Sequence, residues 1–191
     1  MDTDKKKAKP KISNWLQIRK ILRRCSDNDL IGLVAALYEL SKSNKDFLDA
    51  RFLRDNQALA RYKSQIKKYL TPSSSYGDGA QYISLRDARK VLSDYKKATS
   101  DILGLVDLMI YYLECGTNVL CQFGDMYSQY YRSLESVMEN VIKIIKQFDP
   151  DEAEGFIKRL RVVVKKADQM GWGYYDNISD MLKHVEPVKR T

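Results

Sequence analysis

Apolar residues recur at helical spacing from residue 14 onward, in segments punctuated by capping residues, glycines and prolines. Trp15, Ile18, Ile21, Leu22 and Cys25 fall on one side of a short helix opened by Ser13 or Asn14; Arg19, Lys20, Arg23 and Arg24 fall on the other. That pattern predicts a helix docked along its apolar side and wet along the basic one. Ser26, three residues before Asp29, makes a near capping box in which aspartate replaces the longer glutamate. It opens a strongly apolar helix through Leu40, expected to be mostly buried. Asn44 restarts a short helix in which Phe47, Leu48, Ala50, Phe52 and Leu53 surround the axis, so cover is expected on several sides. From about Asp55 to Leu70, Leu59, Tyr62, Ile66, Tyr69 and Leu70 share one arc, with Arg61, Lys63, Lys67 and Lys68 on the other.

Between Thr71 and Ile83 the chain changes to loop chemistry, where serines compete with helical hydrogen bonds and Gly-Asp-Gly supplies positive φ. Ser84 restarts the most polar helix, which is expected on the outside. Thr99 or Ser100 caps the next helix, which the pattern carries to about Cys115, with Gly116 and Asn118 as terminators and no element assigned to Val119–Phe123. Tyr127, Leu134, Val141 and Phe148 then follow at intervals of seven, with Tyr130/Tyr131, Val137/Met138 and Ile144/Ile145 between them. The reading is an internal bundle helix; a homodimer seam through residues 127–148 is the alternative. Asp149 caps and Pro150 starts a helix running to about Met170, Gly171 ends it, and Tyr174 to His184 forms a last short one. The fold class is therefore all-α: a single-domain helical bundle or a short helical-repeat stack of about seven to nine helices. Residues 12–185 form the domain, between a basic tail at 1–11 and a tail at 186–191 that both read as disordered.

One phrase occurs twice. Asp29-Leu30-Ile31-Gly32-Leu33-Val34 returns as Asp101-Ile102-Leu103-Gly104-Leu105-Val106, and Lys68-Tyr69-Leu70-Thr71-Pro72 is echoed by Lys146-Gln147-Phe148-Asp149-Pro150. The echo raises two repeat-like halves, about 26–72 and 99–150, against the simpler reading that two capped amphipathic helices share a small alphabet. A true duplication predicts that the helices near Asp29 and Asp101 occupy equivalent positions.

Composition narrows the function. Hydrophobic residues at 44% and charged residues at 30% are those of a folding chain rather than a disordered one. The net charge of +8 invites nucleic acid, yet about half of the excess sits in the two tails. Cys25, Cys115 and Cys121 are an odd number without CxxC or histidine partners, which points to a reducing cytoplasm and away from a disulfide framework or structural zinc. Residues 1–11 lack the apolar core of a signal peptide, and the apolar stretch from Ile102 to Leu113 is too short to span a bilayer. No transmembrane segment is expected.

Few residue patterns carry chemistry. Lys158, Arg159, Arg161, Lys165 and Lys166 fall on one arc opposite Phe156, Leu160, Val163 and Ala167, a candidate surface for phosphates or an acidic partner as well as an ordinary solvated face. Gly171-Trp172-Gly173-Tyr174-Tyr175 is a candidate aromatic loop; Trp172, Tyr174 and Tyr175 either stack on a ligand or plug the end of the core. His184 has Asp180 one turn earlier but no second histidine, so no metal site is built from it. Asp149-Pro150-Asp151-Glu152 has Ala153 where a calcium loop needs a ligand. Nucleophile-elbow, phosphate-loop and dinucleotide fingerprints are absent, so no catalytic residue, metal ligand or cofactor is assigned.

The stretch Asp29-Leu30-Ile31-Gly32-Leu33-Val34, continuing through Leu37-Tyr38-Glu39-Leu40 and Asn44-Lys45-Asp46-Phe47-Leu48-Asp49-Ala50-Arg51-Phe52, together with Gly171-Trp172-Gly173-Tyr174, resembles a family of small bacterial proteins known only as a domain of unknown function. The resemblance implies a bacterial, cytoplasmic setting and no activity. The expected function is a non-catalytic helical interaction module or scaffold contacting another protein. The alternative is nucleic-acid binding through the 158–166 face and the basic tails.

Overall fold

The computed structural model describes residues 14–53, 57–72, 83–168, 170–171 and 173–185. Within them the chain is all-α: α1 (Asn14–Leu22), α2 (Asp27–Leu40), α3 (Lys42–Phe52), α4 (Ala58–Leu70), α5 (Leu85–Ala98), α6 (Ile102–Phe123), α7 (Ser128–Ile145), α8 (Pro150–Lys166) and α9 (Tyr174–Lys183). Both tails and the Ser/Gly segment 73–82 lie outside the described residues. The chain divides into two compact units, residues 1–45 and 46–191, with the division inside α3.

The second unit is built around α6, which packs against α4, α5, α7 and α8, while α9 closes over α7 and α8. Its sequence explains that position. Eleven of its 22 residues are buried, including Leu105, Val106, Leu108, Ile110, Tyr112 and Leu113. The helix runs past Gly116, the expected terminator, and that glycine instead admits a close approach of α7: a Cβ there would strike the Leu134 side chain. Tyr130 of α7 donates its hydroxyl hydrogen to the Gly116 carbonyl at 3.1 Å, so the contact is bonded as well as packed. Gly124, at φ +79°, ends α6 instead. With its full length, α6 is apolar and long enough by composition to cross a bilayer, yet its inward half is the core of this unit.

Of the positions that repeat at seven, Leu134 and Val141 are buried in α7, while Tyr127 is exposed at its cap and Phe148, beyond its end, is half-buried. Tyr130, Tyr131, Leu134, Val137, Met138, Val141, Ile142 and Ile145 of α7 are buried within the one chain. A seam between two copies would first have to expose them. The helix of residues 85–98 is polar only on its outer side; Ala88, Val91, Leu92, Tyr95 and Ala98 face inward. Tyrosine hydroxyls in this core find partners, as buried hydroxyls must. Tyr112 pairs with Ser133 at 2.7 Å, Tyr174 with Thr117 at 3.2 Å, and Tyr131 donates to Asp125 at 2.7 Å.

The first unit departs from the pattern-based expectation. Neither α1 nor α2 buries a single side chain. Most of the apolar residues of α1 and α2 are exposed, where the pattern predicted cover. In α3 only Asp46 and Ala50 are buried, and Phe52 and Leu53 are exposed rather than covered. Periodicity reports which residues share a side of a helix; it does not report whether the chain supplies anything to lie against that side.

The two copies of the repeated phrase differ from the helix start onward. Ser26 caps α2 and Asp29 sits at its third position: the Asp29 amide donates to Ser26 Oγ at 3.2 Å and the Ser26 amide to Asp29 Oδ2 at 3.1 Å. In α6, Asp101 itself is the cap, accepting from the Gly104 amide at 2.8 Å, where Thr99 or Ser100 was expected. Gly32 has open space around it, whereas Gly104 is pressed between Asp101 and Tyr95. The phrases share capping and amphipathic grammar and not a packing environment.

Candidate functional site

The basic arc of α8 is broken up by its own neighbours. Arg159 turns inward: Nε donates to Glu114 Oε1 at 2.8 Å, Nη2 to Glu114 Oε2 at 2.9 Å, and Nη1 to Asp107. Lys63 of α4 reaches the other Asp107 oxygen at 2.6 Å. Burial alone would raise the Asp107 carboxyl, but the hydrogen bonds from Lys63 and Arg159 outweigh it and hold the group below the ordinary carboxylate value. Arg159, in turn, is pushed higher still by its Glu114 bonds, against burial, with Asp107 adding to the effect. This cluster ties α4, α6 and α8 together. Its charges are spent on each other.

Of the remaining arc, Lys158 and Arg161 each lie 3.5 Å from Glu154, and Lys166 donates to Asn118 at 2.8 Å. Lys165 is exposed beside a shallow cleft that it shares with Arg161, Asp168 and Tyr175. The five residues therefore share a helix but not a common surface with unopposed charge. Of the aromatic loop, Tyr174 is fully buried and plugs the core, its ring 5.5 Å from that of Tyr131; Tyr175 is half-buried, and Trp172 lies outside the described residues. Gly173, at φ +68°, provides the left-handed turn into α9, and α8 itself stops at Lys166 rather than near Met170.

His184 borders a second open cleft, about 320 Å³, with Phe148, Pro150, Glu154 and Val185 among its walls. Asp180 does not orient the imidazole through a hydrogen bond; its carboxylate accepts from Lys183 at 2.6 Å, which holds it below the ordinary value. Among the described residues, no three His, Cys, Asp or Glu side chains gather as metal ligands. The Cys115 thiol is raised by burial, the direction opposite to that of an activated nucleophile.

The surface that sequence reading missed is in the first unit. Along α1, Trp15 is 59% exposed and Ile21 64%, with Ile18 also exposed, next to Arg19, Lys20, Arg23 and Arg24. Along α2, Ile31 is 67% exposed and Leu40 74%, and Leu33, Val34 and Leu37 are exposed between them. At 100° per residue the large apolar side chains of α2 cover one half of the helix, while Asn28, Gly32, Ala35, Ala36 and Glu39 cover the other. The charges at the far end of α2 are already matched, with Lys45 Nζ 2.9 Å from Glu39 and 5.1 Å above the Tyr38 ring. A signal for this surface was present in the sequence. Residues 1–45 hold 11 Lys and Arg against 5 Asp and Glu, a net +6 of the total +8. Comparison with family models, with curated proteins and with solved structures finds no match to this chain.

Proposed function

We propose that the protein is a non-catalytic interaction module, in which residues 46–191 are the rigid body and the first unit is the working surface. The observation that carries this reading is the exposure of nine large apolar residues on α1 and α2: Trp15, Leu16, Ile18 and Ile21, then Ile31, Leu33, Val34, Leu37 and Leu40. Burying each such side chain is worth about 1.5–3 kcal/mol, so leaving a row of them in water is a large standing cost unless a partner covers them. The partner chemistry they call for is an apolar surface edged with negative charge, complementary to Arg19, Lys20, Arg23 and Arg24. The likeness to a family of small bacterial proteins, with its cytoplasmic setting, belongs to the same proposal and supplies no activity.

Nucleic acid is less well supported as the partner. Phosphate binding needs cations free to replace counterions, and Arg159, near the centre of the basic arc, is committed to Glu114 and Asp107. The test is fractionation of an extract of the native host by size and density, with the wild-type chain and a Leu33→Gln/Leu37→Gln variant. Glutamine keeps helix propensity close to that of leucine, so the change acts on the surface. The expected result is that wild type runs with a larger assembly and the variant as free chain. An unchanged distribution, or one altered only by Lys165→Glu, places the working surface elsewhere.

A further inference from the structure

Resting on that reading, we propose that the occupant of the α1–α2 surface is an anionic lipid bilayer, with both helices lying in the plane of the headgroups. Helix α1 has the composition of an interfacial helix: Trp15, Ile18, Ile21 and Leu22 along one arc, Arg19 and Lys20 on the adjoining arc, Arg23 and Arg24 in the turn that follows, and no acidic residue. Tryptophan and arginine are suited to the boundary between headgroup and acyl chain, where a ring sits in the apolar layer and a guanidinium reaches phosphate. Helix α2 adds depth. Its uncharged stretch, Leu30 to Tyr38, is about 13 Å long at 1.5 Å per residue, too short to span the hydrocarbon layer and suited to lying flat on it. Its large side chains form the half that would enter the layer, and Gly32, Ala35 and Ala36 the half that would face the headgroups.

Charge decides between a bilayer and a second copy of this chain. An isologous pairing with its axis at α1 would bring Arg19, Lys20, Arg23 and Arg24 of one copy close to the same four of the other, with no acidic residue in α1 to offset them. Anionic lipid offsets them directly.

The experiment is co-flotation of the full chain with vesicles of phosphatidylcholine alone or of phosphatidylcholine mixed with phosphatidylglycerol, alongside measurement of mass in solution. Binding is expected to the mixed vesicles, with a blue shift of tryptophan emission that the Trp15→Phe variant lacks. Arg19→Glu/Arg23→Glu should weaken it by roughly six hundredfold, since each basic residue near an anionic surface contributes about fivefold and reversal counts twice. Leu33→Gln/Leu37→Gln should weaken it without altering the circular dichroism. Equal binding to neutral vesicles, or none to either, overturns the proposal. A dimer that Leu33→Gln/Leu37→Gln dissociates, with no vesicle binding, overturns it too and leaves the contact reading standing, because that reading is judged by fractionation of the host extract.

Discussion

Arg159 and Glu114 meet fork to fork, their two hydrogen bonds of 2.8 and 2.9 Å joining α8 to α6 across 45 residues of sequence. Both side chains are about one-third exposed, so the pairing is stronger than a surface ion pair and weaker than a fully desolvated one. Arg159→Ala is expected to destabilise the protein by about 1–3 kcal/mol, because it removes the fork and also leaves Asp107 with Lys63 alone. Arg159→Lys should recover only part of that, since an ammonium cannot satisfy both Glu114 oxygens in one plane. Urea unfolding of the three proteins checks the order. A null effect of Arg159→Ala would return this residue to the solvated basic face that its sequence spacing suggests.

The same cluster sets a dependence on pH. The folded-state value of Asp107 lies below its ordinary 3.8, so its ionised form contributes stability that is present above that value. The contribution is lost as pH falls through the depressed folded value. Wild type should therefore lose stability on acidification below about pH 4 more steeply than Asp107→Asn, which is weaker at neutral pH but has no carboxylate to protonate there. Unfolding midpoints measured across that range should converge. Parallel curves would mean that other carboxylates dominate the acid limb.

Gly116 and Leu134 make a close crossing between α6 and α7. A Cβ at residue 116 would occupy the space of a Leu134 methyl, and Leu134 is fully buried, so it has nowhere cheap to move. Gly116→Ala is expected to cost about 1–3 kcal/mol despite the higher helix propensity of alanine. Leu134→Ala alone should cost about 2–5 kcal/mol through its cavity. The double variant should cost less than the two combined, since the new methyl fills part of the space the leucine leaves. Strict additivity in a double-mutant cycle would show that the helices separate rather than interlock.

These three sites show what a single sequence discloses. The inward side of α7 was legible at Leu134 and Val141 and the apolar pairs between them, though the same interval also took in Tyr127, which is exposed; the prolines at 72 and 150 marked real breaks. Gly116 was misread as a stop because a glycine that permits a close approach and a glycine that ends a helix look alike in one dimension. Arg159 was read with its neighbours because spacing fixes only the side of a helix; the inward turn depends on Glu114 and Asp107, far off in sequence. The phrase at residues 29–34 was read as a core helix for a related reason. Its apolar content is that of α6, and nothing local says that α6 finds four helices to pack on and α2 leaves its large side chains exposed.

That difference yields the sharpest stability contrast. Leu33 and Leu37 are exposed on α2, whereas Leu113 of α6 is fully buried. If the apolar half of α2 is a surface and not a displaced piece of core, Leu33→Gln/Leu37→Gln should change the unfolding free energy by no more than about 0.5 kcal/mol per site. Leu113→Ala, by contrast, should cost about 2–5 kcal/mol, the lost burial plus the cavity that the surrounding helices cannot close. Thermal or urea denaturation of the purified chain, kept dilute so that association does not enter, measures both. A loss at Leu33 and Leu37 comparable to that at Leu113 would mean that these side chains are part of a core in solution, and would remove the apolar surface on which the docking argument stands. Near-neutral behaviour in dilute solution, together with a loss of vesicle binding in the same variant, would separate the work of these side chains from the work of the core and show that they serve a partner rather than the fold.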